Sequence, residues 1–213
     1  VSKAYALAIH TSSPDLGLAI APLSALSESR YQSWPLGRDV SNQLHAYLQD
    51  FLKPQTWANL AYIAVAIGPG GFTGTRIGVV TARTLAQQLR IPLFGVSSLG
   101  AIAWQTMKNS NRVSGSIAVQ MPAHRGEVYG GLYTVTTSEA LPKLDTKIAD
   151  TVGSPEQWQQ QLAQYPAPDR TVEASGGQGD AVISVLELAH LRWQQGDRPD
   201  WSAVVPMYGQ SPV

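Results

Sequence analysis

Apolar and polar positions alternate in blocks along the 213-residue chain. Residues 4–9 are an apolar run, 10–15 a polar turn and 16–21 a second apolar run, which predicts a strand, a turn and a returning strand. Residues 28–34 add a third strand before Pro35 and Gly37 break it, giving a three-stranded antiparallel start. Leu44, Tyr47, Leu48, Phe51 and Leu52 then recur at the spacing of an amphipathic helix, with Asp39 or Ser41 as its N-cap and Pro54 as its stop. Residues 61–67 read as a fully buried strand. A glycine-rich turn follows and opens a second helix over 75–89, then a strand over 92–96 and a third helix over 98–107, capped by Ser97 or Ser98.

The pattern restarts beyond residue 110, with strands over 116–121 and 127–135 around a polar turn. Ser154-Pro155-Glu156-Gln157 combines a cap, a proline at the first helical position and a glutamine three residues after the cap, which predicts a helix to about residue 165. A strand over 171–174 leads into Gly176, Gly177, Gln178 and Gly179. The last helix places Val182, Val185, Leu186 and Ala189 on one face, with Gly196 past its end. Each half begins with strands and then alternates helix with strand. Two α/β units with mixed sheets are therefore expected, 1–108 and 109–213, joined where Asn, Ser and Gly cluster.

Composition narrows the function. Charged residues are 14% of the chain, against the usual ~25%, so the surface leans on Gln, Ser, Thr and Ala. Fifteen Lys+Arg balance 15 Asp+Glu, leaving no broad positive field to hold a nucleic-acid backbone without a more basic partner. The absence of cysteine excludes disulfides, thiolate catalysis and thiolate zinc sites. The longest apolar stretch, residues 62–67, is far short of the ~20 residues that span a bilayer, and the opening residues show no basic-then-apolar leader. A cytoplasmic protein with no membrane contact is expected.

The candidate chemistry centres on residues 68–78. Gly68, Gly70, Gly71 and Gly74 lie between a buried strand and a helix, where free N–H groups suit an anion. Thr75-Arg76 stand where a Walker A loop needs Lys and Ser or Thr, so spacing alone favours a tight strand-to-helix turn. Gly74, Gly78 and Ala82 recur every four residues and leave one helix face bare enough for another helix to approach closely. His10, His45, His124 and His190 have no metal-ligand spacing, and each reads as a surface or satisfied histidine; Glu187 with His190 makes no metal site. Thr11, Ser12 and Ser13 could bind phosphate or cap their turn, and capping is the commoner fate.

The string Gly-Pro-Gly-Gly-Phe-Thr-Gly-Thr-Arg-Ile-Gly over 68–78, followed by Thr84-Leu85-Ala86 and Pro92-Leu93-Phe94-Gly95-Val96-Ser97-Ser98-Leu99, resembles the TsaB (YeaZ) family. Ala8-Ile9-His10-Thr11-Ser12 and Arg125-Gly126-Glu127-Val128-Tyr129 match the family's other blocks in order, and the resemblance is densest over 4–129. It implies an α/β, actin-like (sugar kinase/Hsp70-like) fold and a scaffold subunit with no catalytic residue of its own. Such a subunit pairs through first-unit helices with a catalytic paralogue, TsaD, which modifies the tRNA adenosine beside the anticodon, and a small ATPase, TsaE, joins them. A homodimer is expected in isolation, with tRNA met only through the complex.

The resemblance also implies ATP or ADP with Mg at a shared interface. Its loop candidates here are Thr11, Ser12, Gly70, Gly71, Thr73, Gly177 and Gly179. Candidates for the partner interface are Gly74, Arg76, Gly78, Ala82, Leu44 and Leu48. Several positions depart from the family. His10 precedes Thr11 where Asp is usual, Val40 stands for a His, Pro122-Ala123-His124 for Asp-Ala-Arg, and Pro206-Met207-Tyr208-Gly209-Gln210 for Pro-x-Tyr-Leu-Arg. Imidazole is a poorer magnesium ligand than carboxylate, so these changes point away from autonomous Mg-ATP hydrolysis. An independent actin-like ATPase or kinase is the alternative reading, drawing on the glycine loops but needing phosphate and metal contacts that His10 weakens; a metallopeptidase is a remote one, for want of ligand spacing.

Overall fold

The computed structural model describes residues 4–110, 112–138 and 142–207. Its first sheet runs in the order β3-β2-β1-β4-β5, from β1 (Tyr5–His10), β2 (Leu16–Pro22), β3 (Arg30–Trp34), β4 (Leu60–Ala66) and β5 (Leu93–Val96). The first three strands form an antiparallel meander, and β4 and β5 join β1 in parallel, each reached through a helix. Those helices are α1 (Val40–Leu52), between β3 and β4, and α2 (Phe72–Leu89), between β4 and β5. After α3 (Ser98–Lys108) a second mixed sheet follows, in the order β8-β7-β6-β9, from β6 (Ser114–Pro122), β7 (Val128–Thr136), β8 (Lys143–Gly153) and β9 (Arg170–Glu173). α4 (Pro155–Leu162) precedes β9, and α5 (Val182–Gln194) comes last among the long helices.

The two faces of the first sheet differ in bulk because side chains alternate along each strand. Leu7, Ile9, Leu18, Ile20, Ile63 and Val65 point to α1 and α2. Ala6, Ala8, Ala19, Ala21, Ala64 and Ala66 point the other way, and these short side chains let α3 and α5 lie close to the strands. The second sheet closes over α3 and α5 with Ile117, Val119, Tyr133 and Val135, and α4 covers its far side through Trp158 against Ala118 and Leu132. The layers are helix, sheet, helix, sheet, helix. α5 therefore crosses back from the second half of the chain to cover the alanine face of the first sheet, with Val182, Val185, Leu186 and Ala189 all buried.

Local signals account for most element ends. Ser97, rather than Ser98, caps α3 by accepting the Gly100 N–H at 2.9 Å. Ser154 and Gln157 form the expected capping box at α4. Asp39 takes the N-cap position of α1, as one of the two expected residues, but its side chain makes no capping bond; the Ser41 hydroxyl donates to the Arg38 carbonyl at 3.1 Å. α2 starts at Phe72, three residues before the expected start, because the glycine turn closes sooner. β8 has no counterpart among the predicted strands. Trp104 and Trp158 are buried. Of the C-terminal departures, Tyr208, Gly209 and Gln210 lie outside the described residues.

Candidate functional site

β1 ends at His10, and residues 11–15 turn back into β2 directly beneath the glycine turn that joins β4 to α2. Gly70 sits at φ +158, and a Cβ there would come within 2.0 Å of the Ser12 carbonyl oxygen. Only glycine lets that backbone approach, and the Gly71 N–H then donates to the same oxygen at 2.7 Å. One residue earlier, the Thr11 hydroxyl donates to the Gly74 carbonyl at 2.8 Å.

Thr11 explains the small-residue stripe. A Cβ on Gly74 would lie 2.1 Å from the Thr11 carbonyl oxygen, and one on Gly78 would lie 2.1 Å from the Thr11 Oγ1. Ala82 is fully buried in the same core. Gly74 and Gly78 are therefore closed against the chain's own β1 end and Ala82 is buried in the core, in place of the expected partner-facing stripe. Leu44 and Leu48 are likewise core residues, Leu48 also reaching the wall of a groove of about 850 Å³ on the outer side of α1 and α2 that the exposed Arg76 lines. The groove also takes in His45, Ile77, Leu85 and Val80, the last 52% exposed.

The candidate phosphate residues separate in the structure. Ser12, Gly70 and Gly71 line a cleft of about 330 Å³ between the two sheets, whereas Thr11 points into the core beneath α2 and Thr73 is exposed, off the cleft. Gly177 and Gly179 pack on the Asp15 side chain, and their turn's donors are taken: the Gln178 N–H by Ser13 Oγ at 3.0 Å and the Gly179 N–H by Asp15 Oδ2 at 3.4 Å. A carboxylate in that turn repels phosphate. Ser13 and Asp15 thus act as internal caps.

His10, Ser12 and Ser98 meet in the cleft, and sequence reasoning missed two of them. His10 is 1% exposed, Ser12 3% and Ser98 1%, and among the described residues His10 Nδ1 and Nε2, Ser12 Oγ and Ser98 Oγ have no hydrogen-bond partner. His10 is neither at the surface nor satisfied. Burial pulls its imidazole down to about 4, so the ring is neutral at pH 7. Of the other histidines, His124 lines the same cleft, His45 lines the α1–α2 groove and His190 meets the Tyr62 hydroxyl at 3.3 Å, while Glu187 accepts from Trp104 Nε1 at 2.7 Å and pairs with Lys108. Ser98 was legible only as a possible cap, and because Ser97 takes that role the Ser98 hydroxyl is left over.

A magnesium nucleotide does not fit these residues. Among the described residues no Lys, Arg, Asp or Glu lines the cleft, and no group of three or more His, Asp or Glu side chains is placed to hold a metal. A neutral imidazole stands where the phosphates and their metal would need a carboxylate.

A family model described as TsaD: tRNA N6-adenosine threonylcarbamoyltransferase matches residues 38–192. The tRNA threonylcarbamoyladenosine biosynthesis protein TsaB of Bacillus subtilis is 35% identical over 150 residues, 68% of this chain and 62% of that protein. The chain belongs to the TsaB/YeaZ family. The TsaB of Buchnera aphidicola from Schizaphis graminum is 36% identical over 103 residues, 45% of this chain and 48% of its own length. The matches thus span 62% and 48% of these two curated TsaB proteins, less than two thirds of either. The solved structure of YeaZ from Pseudomonas aeruginosa superposes with a TM-score of 0.75 at 20% identity, covering 96% of this chain and all of that one. The α/β architecture of two mixed sheets expected for the family is the one observed, and it is shared with YeaZ. Among the described residues no helix is long and apolar enough to cross a membrane.

Proposed function

We propose that this chain is a non-catalytic partner subunit of a TsaD-type threonylcarbamoyltransferase, in the pathway that makes threonylcarbamoyladenosine in tRNA. The observation that carries this reading is the α1–α2 groove. Leu48, Trp57, Ile77, Val80 and Leu85 line it, Val80 52% exposed, and among the described residues no acidic side chain does. An exposed apolar helix pair of this kind suits a protein partner. The cleft supports the non-catalytic part of the reading, since it lacks the charged groups that phosphoryl transfer needs. TsaE and tRNA then join through the complex, and a second copy covers the groove when TsaD is absent.

The test is mixing with the cognate TsaD on a sizing column. The wild-type chain forms a complex, and Val80→Asp weakens it about tenfold or more while leaving the unfolding midpoint unchanged. Absence of any complex with the wild-type chain, with or without nucleotide, overturns the proposal, as does steady ATP turnover by the chain alone.

A further inference from the structure

Three residues from two separate parts of the chain line the inter-sheet cleft and carry four buried polar atoms that find no hydrogen-bond partner among the described residues. The two His10 ring nitrogens and Ser12 Oγ come from the end of β1 and the turn after it, and Ser98 Oγ comes from the first residue of α3. Buried donors and acceptors are nearly always paired, and leaving one unmade costs about 1–3 kcal/mol. A cluster of them on one cavity marks a place where a guest supplies the missing bonds.

The cleft's chemistry narrows the guest. No acidic side chain, lysine or arginine lines it among the described residues, and its other walls include Pro69, Met121, Tyr129 and Ala174. The nearby helix starts have already spent donors, with the Gly71 N–H on Ser12, the Ser98 N–H on Gly68 and the Gly100 N–H on Ser97. An anion therefore finds no lysine or arginine and none of these amides to meet it; Ser13, His124, Ser175 and Gln178 are the other polar residues on the walls. A neutral imidazole offers one donor and one acceptor, and each serine hydroxyl offers both. A group that gives and takes within one plane answers that set, as a primary carboxamide does with its carbonyl and NH₂. A carboxylate only accepts and an amidinium only donates.

We propose that this cleft binds a small uncharged molecule carrying a primary carboxamide on an apolar body. The carboxamide bonds to His10, Ser12 and Ser98, and the body lies against Met121, Tyr129 and the prolines. The site is independent of the α1–α2 groove, so it stands whether or not the chain docks on TsaD.

Three probes of nearly the same shape test the charge rule: benzamide, benzoate and benzamidine. Each is titrated into the intact chain at pH 7 while the ¹⁵N resonances of the His10 ring are followed. Benzamide shifts them saturably and binds at least about tenfold tighter than either charged analogue. Ser98→Ala weakens benzamide about fivefold while raising the melting temperature of the unliganded chain, because it removes an unsatisfied hydroxyl. A purely structural serine would not move both readouts in opposite senses. Ser12→Ala serves as the second variant, with the same pair of changes expected. Benzoate or benzamidine binding as tightly as benzamide, no saturation by benzamide up to about 10 mM, or unchanged affinity in both serine variants would each overturn the proposal, the second leaving a cleft that holds only water.

Discussion

His10 couples the cleft to acid stability. Its ring sits at about 4 in the folded chain and near 6.5 when unfolded, because burial disfavours the charged form. Between those values the unfolded chain binds more protons, so stability rises with pH and is lost as pH falls from about 6.5 toward 4. By linkage the loss from His10 at pH 5 is about 2 kcal/mol. His190 is also lowered by burial and acts in the same direction. Urea unfolding of His10→Phe should therefore show a shallower fall between pH 7.5 and 5 than the wild type, by about that amount. Equal slopes would mean that His10 is protonated in the fold. Gly78 poses a steric question. Gly78→Ala gains helix propensity, yet its Cβ meets Thr11 Oγ1, so a net cost of about 1–3 kcal/mol is expected, partly recovered by Thr11→Ala in the same chain. Urea midpoints of the two single variants and the double variant check this. The Gly74, Gly78, Ala82 spacing was legible as a close contact, but Thr11 lies 63 residues from Gly74, and spacing along a helix does not say what approaches it.

β8 shows how a strand escapes periodicity. Two register shifts against β7, at Gly130/Leu132 and Leu132/Tyr133, break the alternation. Leu144 and Val152 consequently pack toward the inter-sheet core while Ile148 packs toward α4. With Asp145, Lys147 and Asp150 interspersed, no single face reads as apolar. Asp150 earns its place by accepting from Ser97 at 2.5 Å and from Tyr133, a link visible only when β7, β8 and α3 are assembled. Helix ends were easier to foresee, because a capping box is written within four consecutive residues. The seat of α4 was not, since it depends on Gly130 of β7, where a Cβ would fall 2.5 Å from the Trp158 ring. Gly130→Ala should lift α4 from the sheet at a cost of about 1–3 kcal/mol and accelerate amide exchange in α4 ahead of the first sheet. Uniform acceleration across the molecule would instead show that α4 is not a separate unit.

Two mixed sheets could be read from the way each half restarts with strands, but the path of α5 could not. Its apolar stripe at Val182, Val185, Leu186 and Ala189 announces a buried helix without naming the surface that buries it. The alanines of β1, β2 and β4 are the complement, and their small size makes sense only once a helix from the far end of the chain is laid on them. A fragment of residues 1–108 lacks that cover. It should give no cooperative urea transition and should bind a hydrophobic dye, whereas adding the 179–207 segment in trans should restore part of the transition. A sharp two-state unfolding of the fragment alone would show that α3 suffices.

The same return path sets a timetable for biosynthesis. Roughly a hundred residues separate the last strand of the first sheet from the end of the helix that seals it, which at about 5–20 residues per second is some 5–20 s of elongation. For that interval the nascent N-terminal half carries an uncovered alanine-lined surface outside the ribosome, and holdase chaperones have a defined window in which to engage it.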